Sequence, residues 1–148
     1  MDECRTWQRG EYTISTEKSR LDRDVIHSFL ARSYWAAGIP RAVVEKSLEH
    51  SLAFGVYHGT RQVGFARIIT DYATFAYVSD VFIIEEYRGK GLGKWLMQVV
   101  VDYPELQGLR RWILMTRNAH GLYEKVGFVR SRNPQRLMEM HFDDIYQR

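Results

Sequence analysis

Cysteine and proline are scarce in this chain: Cys4 is the one thiol among 148 residues, and there are three prolines. A lone thiol can neither close a disulfide within the chain nor build a zinc site from several thiolates. Few prolines, beside four Trp, nine Tyr and seven Phe, exclude disorder over most of the length. No apolar run approaches the ~20 residues of a transmembrane helix. The first residues carry no apolar stretch of the secretory type, so a reducing, cytoplasmic setting is the simplest expectation. A strong excess of one charge is missing too: 21 Lys and Arg against 18 Asp and Glu leave a formal +3. The cations are scattered, apart from Arg130, Arg132 and Arg136, and form no basic stripe interleaved with aromatics. Neither nucleic acid nor a membrane is therefore an expected partner. A chain of this length buries roughly two-thirds of its unfolded surface, and residues 1–148 are expected to form a single domain.

The order of elements reads as α+β. Tyr12–Ser15 alternates weakly, as a first strand would. Leu21, Val25, Ile26, Phe29 and Leu30 recur at helical spacing, which predicts an amphipathic helix from about 20 to 32. Gly38-Ile39-Pro40 interrupts the chain, and Val43, Val44 and Leu48 line the next helix, with Pro40 suited to its first turn. Residues 52–57, 62–69 and 74–84 then form an antiparallel meander with turns at His58-Gly59-Thr60 and Asp71-Tyr72. Leu92, Leu96, Val99 and Val100 mark one face of a long helix that Pro104 ends. Residues 111–115 read as a buried strand. Ala119, Leu122, Tyr123 and Val126 share a face of a short helix, and Gly127 sits where a left-handed C-cap belongs. Phe128-Val129 begins another strand, and Leu137–Phe142 is read as the last.

Between the meander and the long helix lies Arg88-Gly89-Lys90-Gly91-Leu92-Gly93-Lys94. Glycines let a ligand approach the backbone closely, and the free N–H groups of a helix start attract anions. Arg88, Lys90 and Lys94 add formal charge, so the turn suits a pyrophosphate. Neither the Walker loop nor the Gly-x-Gly-x-x-Gly fingerprint matches, because the glycines here are 89, 91 and 93.

Two motifs together resemble the GNAT superfamily of acyl-CoA-dependent N-acetyltransferases. The Arg/Gln-x-x-Gly-x-Gly/Ala signature is matched by Arg88, Gly91 and Gly93. A second hallmark stands as Ala119-His120-Gly121-Leu122-Tyr123-Glu124-Lys125-Val126-Gly127-Phe128. The resemblance covers about residues 50 to 142. It implies a mixed, mostly antiparallel central sheet of six to seven strands, flanked by about four helices and splayed to hold acetyl-CoA. It further implies that main-chain groups of Val81, Phe82 and Ile83 bind the pantetheine arm, and that the amides of Gly89, Lys90, Gly91, Leu92 and Gly93 bind the pyrophosphate. Where the family often carries Asn to contact the cofactor, this chain has Thr116. The implied reaction moves acetyl from acetyl-CoA to a small-molecule or peptide primary amine, with a homodimer open. A non-catalytic acyl-CoA-binding module is the alternative.

Acetyl transfer needs an acceptor amine without its extra proton and a proton for the departing thiolate. Tyr123 is the candidate donor, since a phenol with a reference pKa of about 10 stays protonated at neutral pH. A packing role on the stripe with Ala119 and Leu122 competes with it. Asp80 is the candidate base. Simple alternation puts it on one face with Ala76, Val78 and Phe82, although a bulge, which the family leads one to expect, would upset that assignment. Hydrogen bonding to an arginine such as Arg67 is the competing role, and a water chain through Asp71 or Glu85 is a third route. Tyr34 and Trp35 are candidates to line the acceptor pocket. His27, His50, His58 and His141 show no metal-ligand spacing, and no metal is expected.

Overall fold

The computed structural model describes residues 4–147. A six-stranded sheet runs in chain order: β1 (Thr6–Arg9), β2 (Tyr12–Ser15), β3 (Leu52–His58), β4 (Arg61–Thr70), β5 (Phe75–Ile83) and β6 (Arg111–Leu114). Every neighbouring pair is antiparallel except β5 with β6, which is parallel. The helices are α1 (Arg23–Arg32), α2 (Arg41–Glu49), α3 (Leu92–Val101) and α4 (His120–Glu124). This is the expected α+β mixed sheet with four helices. No helix among the described residues is long and apolar enough to cross a membrane.

Local chemistry places the elements. Asp22 caps α1, accepting from the backbone N–H groups of Asp24 and Val25 at 3.1 Å each. Ahead of it the predicted helical stretch is a 3-10 turn, Lys18–Arg20, so α1 begins three residues later than its apolar spacing suggested. Pro40 stands just before α2 and its carbonyl accepts from Val43 and Val44. Asp71 closes the β4–β5 turn, accepting from the amides of Ala73, Thr74 and Phe75 and from the Thr74 hydroxyl. These bonds hold its carboxyl well below the usual range. That leaves Asp71 a poor proton acceptor. Gly127 takes the positive φ expected of it, 109°.

The sheet is sandwiched. On one face Phe54, Val56, Ala66, Ile68, Ala76 and Val78 pack against Leu92, Leu96, Val99 and Val100 of α3. On the other, Ala53, Phe65 and Phe82 pack against Ile26 and Leu30 of α1 and Val44 and Leu48 of α2. β3 is buried on both faces, which explains its near-continuous apolar run. Its Gly55 leaves room for the Tyr57 ring; a Cβ there would collide with the Tyr57 hydroxyl. That hydroxyl is buried without a hydrogen-bond partner, and burial pushes its pKa up to about 12.

Three expectations need correction. A strand precedes the expected first one: β1 pairs with β2 from Thr6 opposite Ser15 to Arg9 opposite Tyr12. Neither Phe128-Val129 nor Leu137–Phe142 is a strand: both run as irregular chain, and the six-stranded sheet ends at β6. The alternation through β5 also breaks. Opposite Ala66 of β4 stand two residues of β5, since Phe65 pairs with Phe82 and Arg67 with Ser79. This bulge contains Asp80, whose φ is 53°. Ala76 and Val78 therefore face α3, while Phe82 faces α1 and α2.

Candidate active site

The bulge divides β5. Residues Ala76–Val78 pair with β4 on one side, and Phe75–Val78 pair with Arg111–Leu114 of β6 on the other. β6 ends there, while β5 runs on to Ile83 with only β4 beside it. The amide of Ile84 bonds back to Val63 of β4 at 2.9 Å. By strand alternation, Val81 and Ile83 turn their backbone groups to the open side and Phe82 turns its own toward β4. The Phe82 ring stacks on Phe29 of α1 with centroids 3.9 Å apart.

This half-paired strand leads into the glycine turn. Gly89 and Gly91 both have φ of 80°, and a Cβ added to either would meet nothing within 4 Å. The first helical bond of α3 runs from Trp95 N–H to Gly91 C=O. The amides of Leu92, Gly93 and Lys94 precede it and have no helical acceptor. No side chain caps this helix start. The turn is thus exposed and carries helix-start N–H groups with no side-chain cap and the positive end of a helix dipole, which suits a diphosphate. Lys90 and Lys94 flank it in solvent. Arg88 does something the sequence did not disclose: its Nε donates to the carbonyl of Ile83 at 2.9 Å, tying the turn to the end of β5.

Across the opening stands α4. Gly93 lets α3 approach it, with Leu122 side-chain carbons 3.7 and 3.9 Å from where a Cβ would be. Tyr123 is buried, 9% exposed, with its ring edge-on to Phe128. Burial, with the neighbouring Tyr34 adding to it, pushes the Tyr123 phenol up to about 12. Its hydroxyl makes no hydrogen bond to another described residue. The Thr116 hydroxyl accepts from the Ala119 amide at 3.0 Å and so shapes the start of α4. His120 occupies the first position of that helix, half-buried.

The third wall belongs to the loop between α1 and α2. Trp35 Nε1 donates to one oxygen of Asp80, and Arg67 Nε donates to the other, both at 2.8 Å. Arg67 also donates to the hydroxyls of Ser51 and Ser79. The Arg67 and Asp80 side chains are 16% and 8% exposed, so the pair is largely removed from water. Tyr34 stands edge-on to Trp35, and the Arg117 guanidinium lies 3.7 Å above the Tyr34 ring. The sequence singled out Asp80, Tyr34 and Trp35 separately; the fold joins them. Trp35 as a partner of Asp80, 45 residues away, had no signal in the spacing.

The comparisons agree with this architecture. A model of the Acetyltransferase (GNAT) family matches residues 2–128. A Gibberella zeae protein named as an acetyltransferase, FG08082, is 34% identical over 142 residues, spanning 80% of this chain and 79% of that protein. The crystal structure of a GNAT-family acetyltransferase from Xanthomonas campestris pv. campestris superposes with a TM-score of 0.90 at 48% identity, covering 93% of this chain and 97% of that one. An acetyltransferase structure from Clostridium acetobutylicum that contains acetyl-CoA shares the fold, with a TM-score of 0.62 at 13% identity over 94% of this chain and 95% of that one. The chain belongs to the GNAT family of acetyltransferases.

Proposed function

We propose that the protein transfers acetyl from acetyl-CoA to a primary amine by direct attack in a ternary complex. The observation that carries this reading is the continuity of the half of β5 that pairs only with β4 with the exposed glycine turn. One polar backbone edge runs from Val81 through Ile83 into the amides of residues 89–94. An amide-rich pantetheine arm fits the first part and a pyrophosphate the second.

Bound there, acetyl-CoA would supply an activated acetyl thioester, whose carbonyl carbon takes the amine lone pair as the C–S bond breaks. The protein's part is to position and to move protons. Val81 and Ile83 hold the arm, Gly89 through Lys94 bind the phosphates, and Arg88 keeps the two segments in register. Tyr123 gives its phenolic proton to the departing thiolate sulfur. Its high pKa keeps that proton in place across the neutral range and delays release until negative charge develops on sulfur. Asp80 takes the proton that the amine loses, directly or through water. Each of its oxygens accepts one hydrogen bond here, and a carboxylate has about four acceptor sites, so capacity remains. The Tyr34 and Trp35 rings beside a carboxylate suit a cationic acceptor, drawn in as ammonium.

The test is thiol release from acetyl-CoA against a panel of primary amines, with parent and Gly91→Asp compared. A Cβ at position 91 meets nothing within 4 Å, and Asp visits a positive φ more readily than most residues, but it puts a negative charge in the cradle. Calorimetric affinity for acetyl-CoA should collapse while circular dichroism stays native. Unchanged affinity would remove the cradle assignment. Tight binding without thiol release on any amine would remove the enzymatic one.

A further inference from the structure

A short row of aromatic rings at the mouth of the opening has opposite charges at its two ends. At one end Trp35 Nε1 donates to Asp80 at 2.8 Å. Trp35 stands edge-on to Tyr34, with centroids 5.1 Å apart. At the other end the guanidinium carbon of Arg117 lies 3.7 Å from the centre of the Tyr34 ring. Tyr34 and Trp35 belong to the α1–α2 loop and Arg117 to the β6–α4 connection, so the contact bridges two walls of the opening. Tyr34 also bears on the Tyr123 phenol, which sets the row beside the proposed acid. The row faces solvent: Tyr34 is 52% and Trp35 41% exposed, and Arg117 is exposed.

Arg117 differs from the arginines that hold a carboxylate of this chain, Arg23, Arg41, Arg61 and Arg67. It makes no hydrogen bond or ion pair with another described residue. So close to the ring it must lie flat, because an edge-on approach would drive a nitrogen into the ring carbons. The ring then holds the guanidinium by its face and leaves its N–H fork free at the edge. That fork matches the two oxygens of a carboxylate.

We propose that the acetyl acceptor is a primary amine joined by a flexible chain to a carboxylate, and that Arg117 binds that carboxylate. The inference rests on the acetyl-transfer reading and names its substrate class. The amine enters as ammonium toward Asp80, whose oxygens keep acceptor sites beyond the bonds from Arg67 and Trp35. The methylenes of the chain lie along Tyr34 and Trp35, and the carboxylate meets the Arg117 fork. Two rings separate the charges, so an α-amino acid, with both groups on one carbon, is too short to engage both. The same arrangement rejects other amines. A plain alkylamine leaves the fork without a partner, and a diamine sets a second cation against it.

The test uses three amines of matched length: ω-aminohexanoate, hexylamine and hexamethylenediamine, with thiol release from acetyl-CoA as the readout. The parent should use ω-aminohexanoate at least about tenfold better in kcat/KM than either of the others, as one charge-assisted contact allows. Arg117→Gln should bring that ratio close to unity, and Arg117→Glu should reverse it in favour of the diamine. Arg117→Lys keeps the charge but loses the fork, and its ratio should fall between those of the parent and Arg117→Gln. Calorimetric titration of ω-aminohexanoate into the protein with CoA bound reads the same contact without turnover. Arg117→Gln should lower that affinity about tenfold. A parent that turns over amines with no preference for the carboxylate would overturn the inference and leave acetyl transfer standing. So would a preference that survives Arg117→Gln. A loss of acetyl-CoA affinity in Arg117→Gln would assign the guanidinium to a cofactor phosphate and overturn the inference as well. Thiol release with no amine would instead remove the acetyl-transfer reading, and the calorimetric comparison would still decide whether Arg117 holds the carboxylate.

Discussion

The two halves of β5 share one strand and divide two tasks. In Ala76–Val78 both backbone edges are engaged, by β4 and by β6. In the run from Ser79 to Ile83, one edge is left to the opening, and the side chains have changed faces. The first half is sheet. The second has one backbone edge open, with one carboxylate locked beside it, and is the binding surface of the proposed reaction. The lesson is that a single inserted residue, at the bulge, separates a strand half paired on both edges from one paired on a single edge. It does so by shifting register and by ending the match with β6.

The sharpest way to break this comparison is at Tyr123 of α4, the proposed acid. Tyr123→Phe keeps the ring and its contact with Phe128 but removes the hydroxyl. The expected loss is about 10²–10⁴ in kcat with cofactor affinity retained, measured by steady-state kinetics on an amine found by the panel. Turnover within threefold of the parent, with chemistry rate-limiting, would return Tyr123 to a packing role.

Asp80→Asn comes next. It tolerates the positive φ and can still accept from Trp35, but it leaves Arg67 without its counter-ion in a largely dry site. A stability loss of about 2–4 kcal/mol is expected by urea denaturation. If Asp80 is also the base, kcat should fall by about 10²–10⁴ in this variant; if it only positions Trp35 and Arg67, kcat should stay within about threefold of the parent under conditions where the variant is folded.

Hydrogen exchange sharpens the contrast along the strand itself. Acetyl-CoA should slow the amides of Val81 and Ile83 by about tenfold or more, while amides of Tyr77 and Val78 change little because β4 and β6 already engage that half. Equal protection of both halves would mean global stabilisation rather than occupation of the open edge.

The smallest effect belongs to the turn that starts β5. The Asp71 carboxyl is held below its ordinary pKa, so its contribution is fully present above the unfolded value of about 4 and fades as pH falls through the lower folded value. Asp71→Asn should flatten the acid end of the stability–pH curve without changing the neutral plateau of cofactor binding. An unaltered slope would show that the turn bonds do not distinguish the folded from the unfolded carboxyl.

Much of this was legible before any coordinate. Three glycines at alternate positions between a strand and an apolar helix marked an open turn at a helix start, because positive φ and close approach are demands that a local string can express. The stripe of Ala119, Leu122 and Tyr123 placed the phenol on the buried side of α4 for the same reason. The meander, with its turn residues and apolar runs, came out within one or two residues of its observed ends.

What the sequence determined by itself was therefore local: which segments become helices or paired strands, and which turn offers free amides. The tertiary structure alone decided what depends on a distant partner. It put Trp35 and Arg67 on Asp80 and sent Arg88 to the Ile83 carbonyl rather than to solvent. It also reversed the faces of β5 at a bulge whose position is defined only against β4. Residues 137–142 show the limit plainly. Alternation says that a segment can be a strand, but a strand exists only where a neighbour supplies the hydrogen bonds, and that neighbour is not written in the segment.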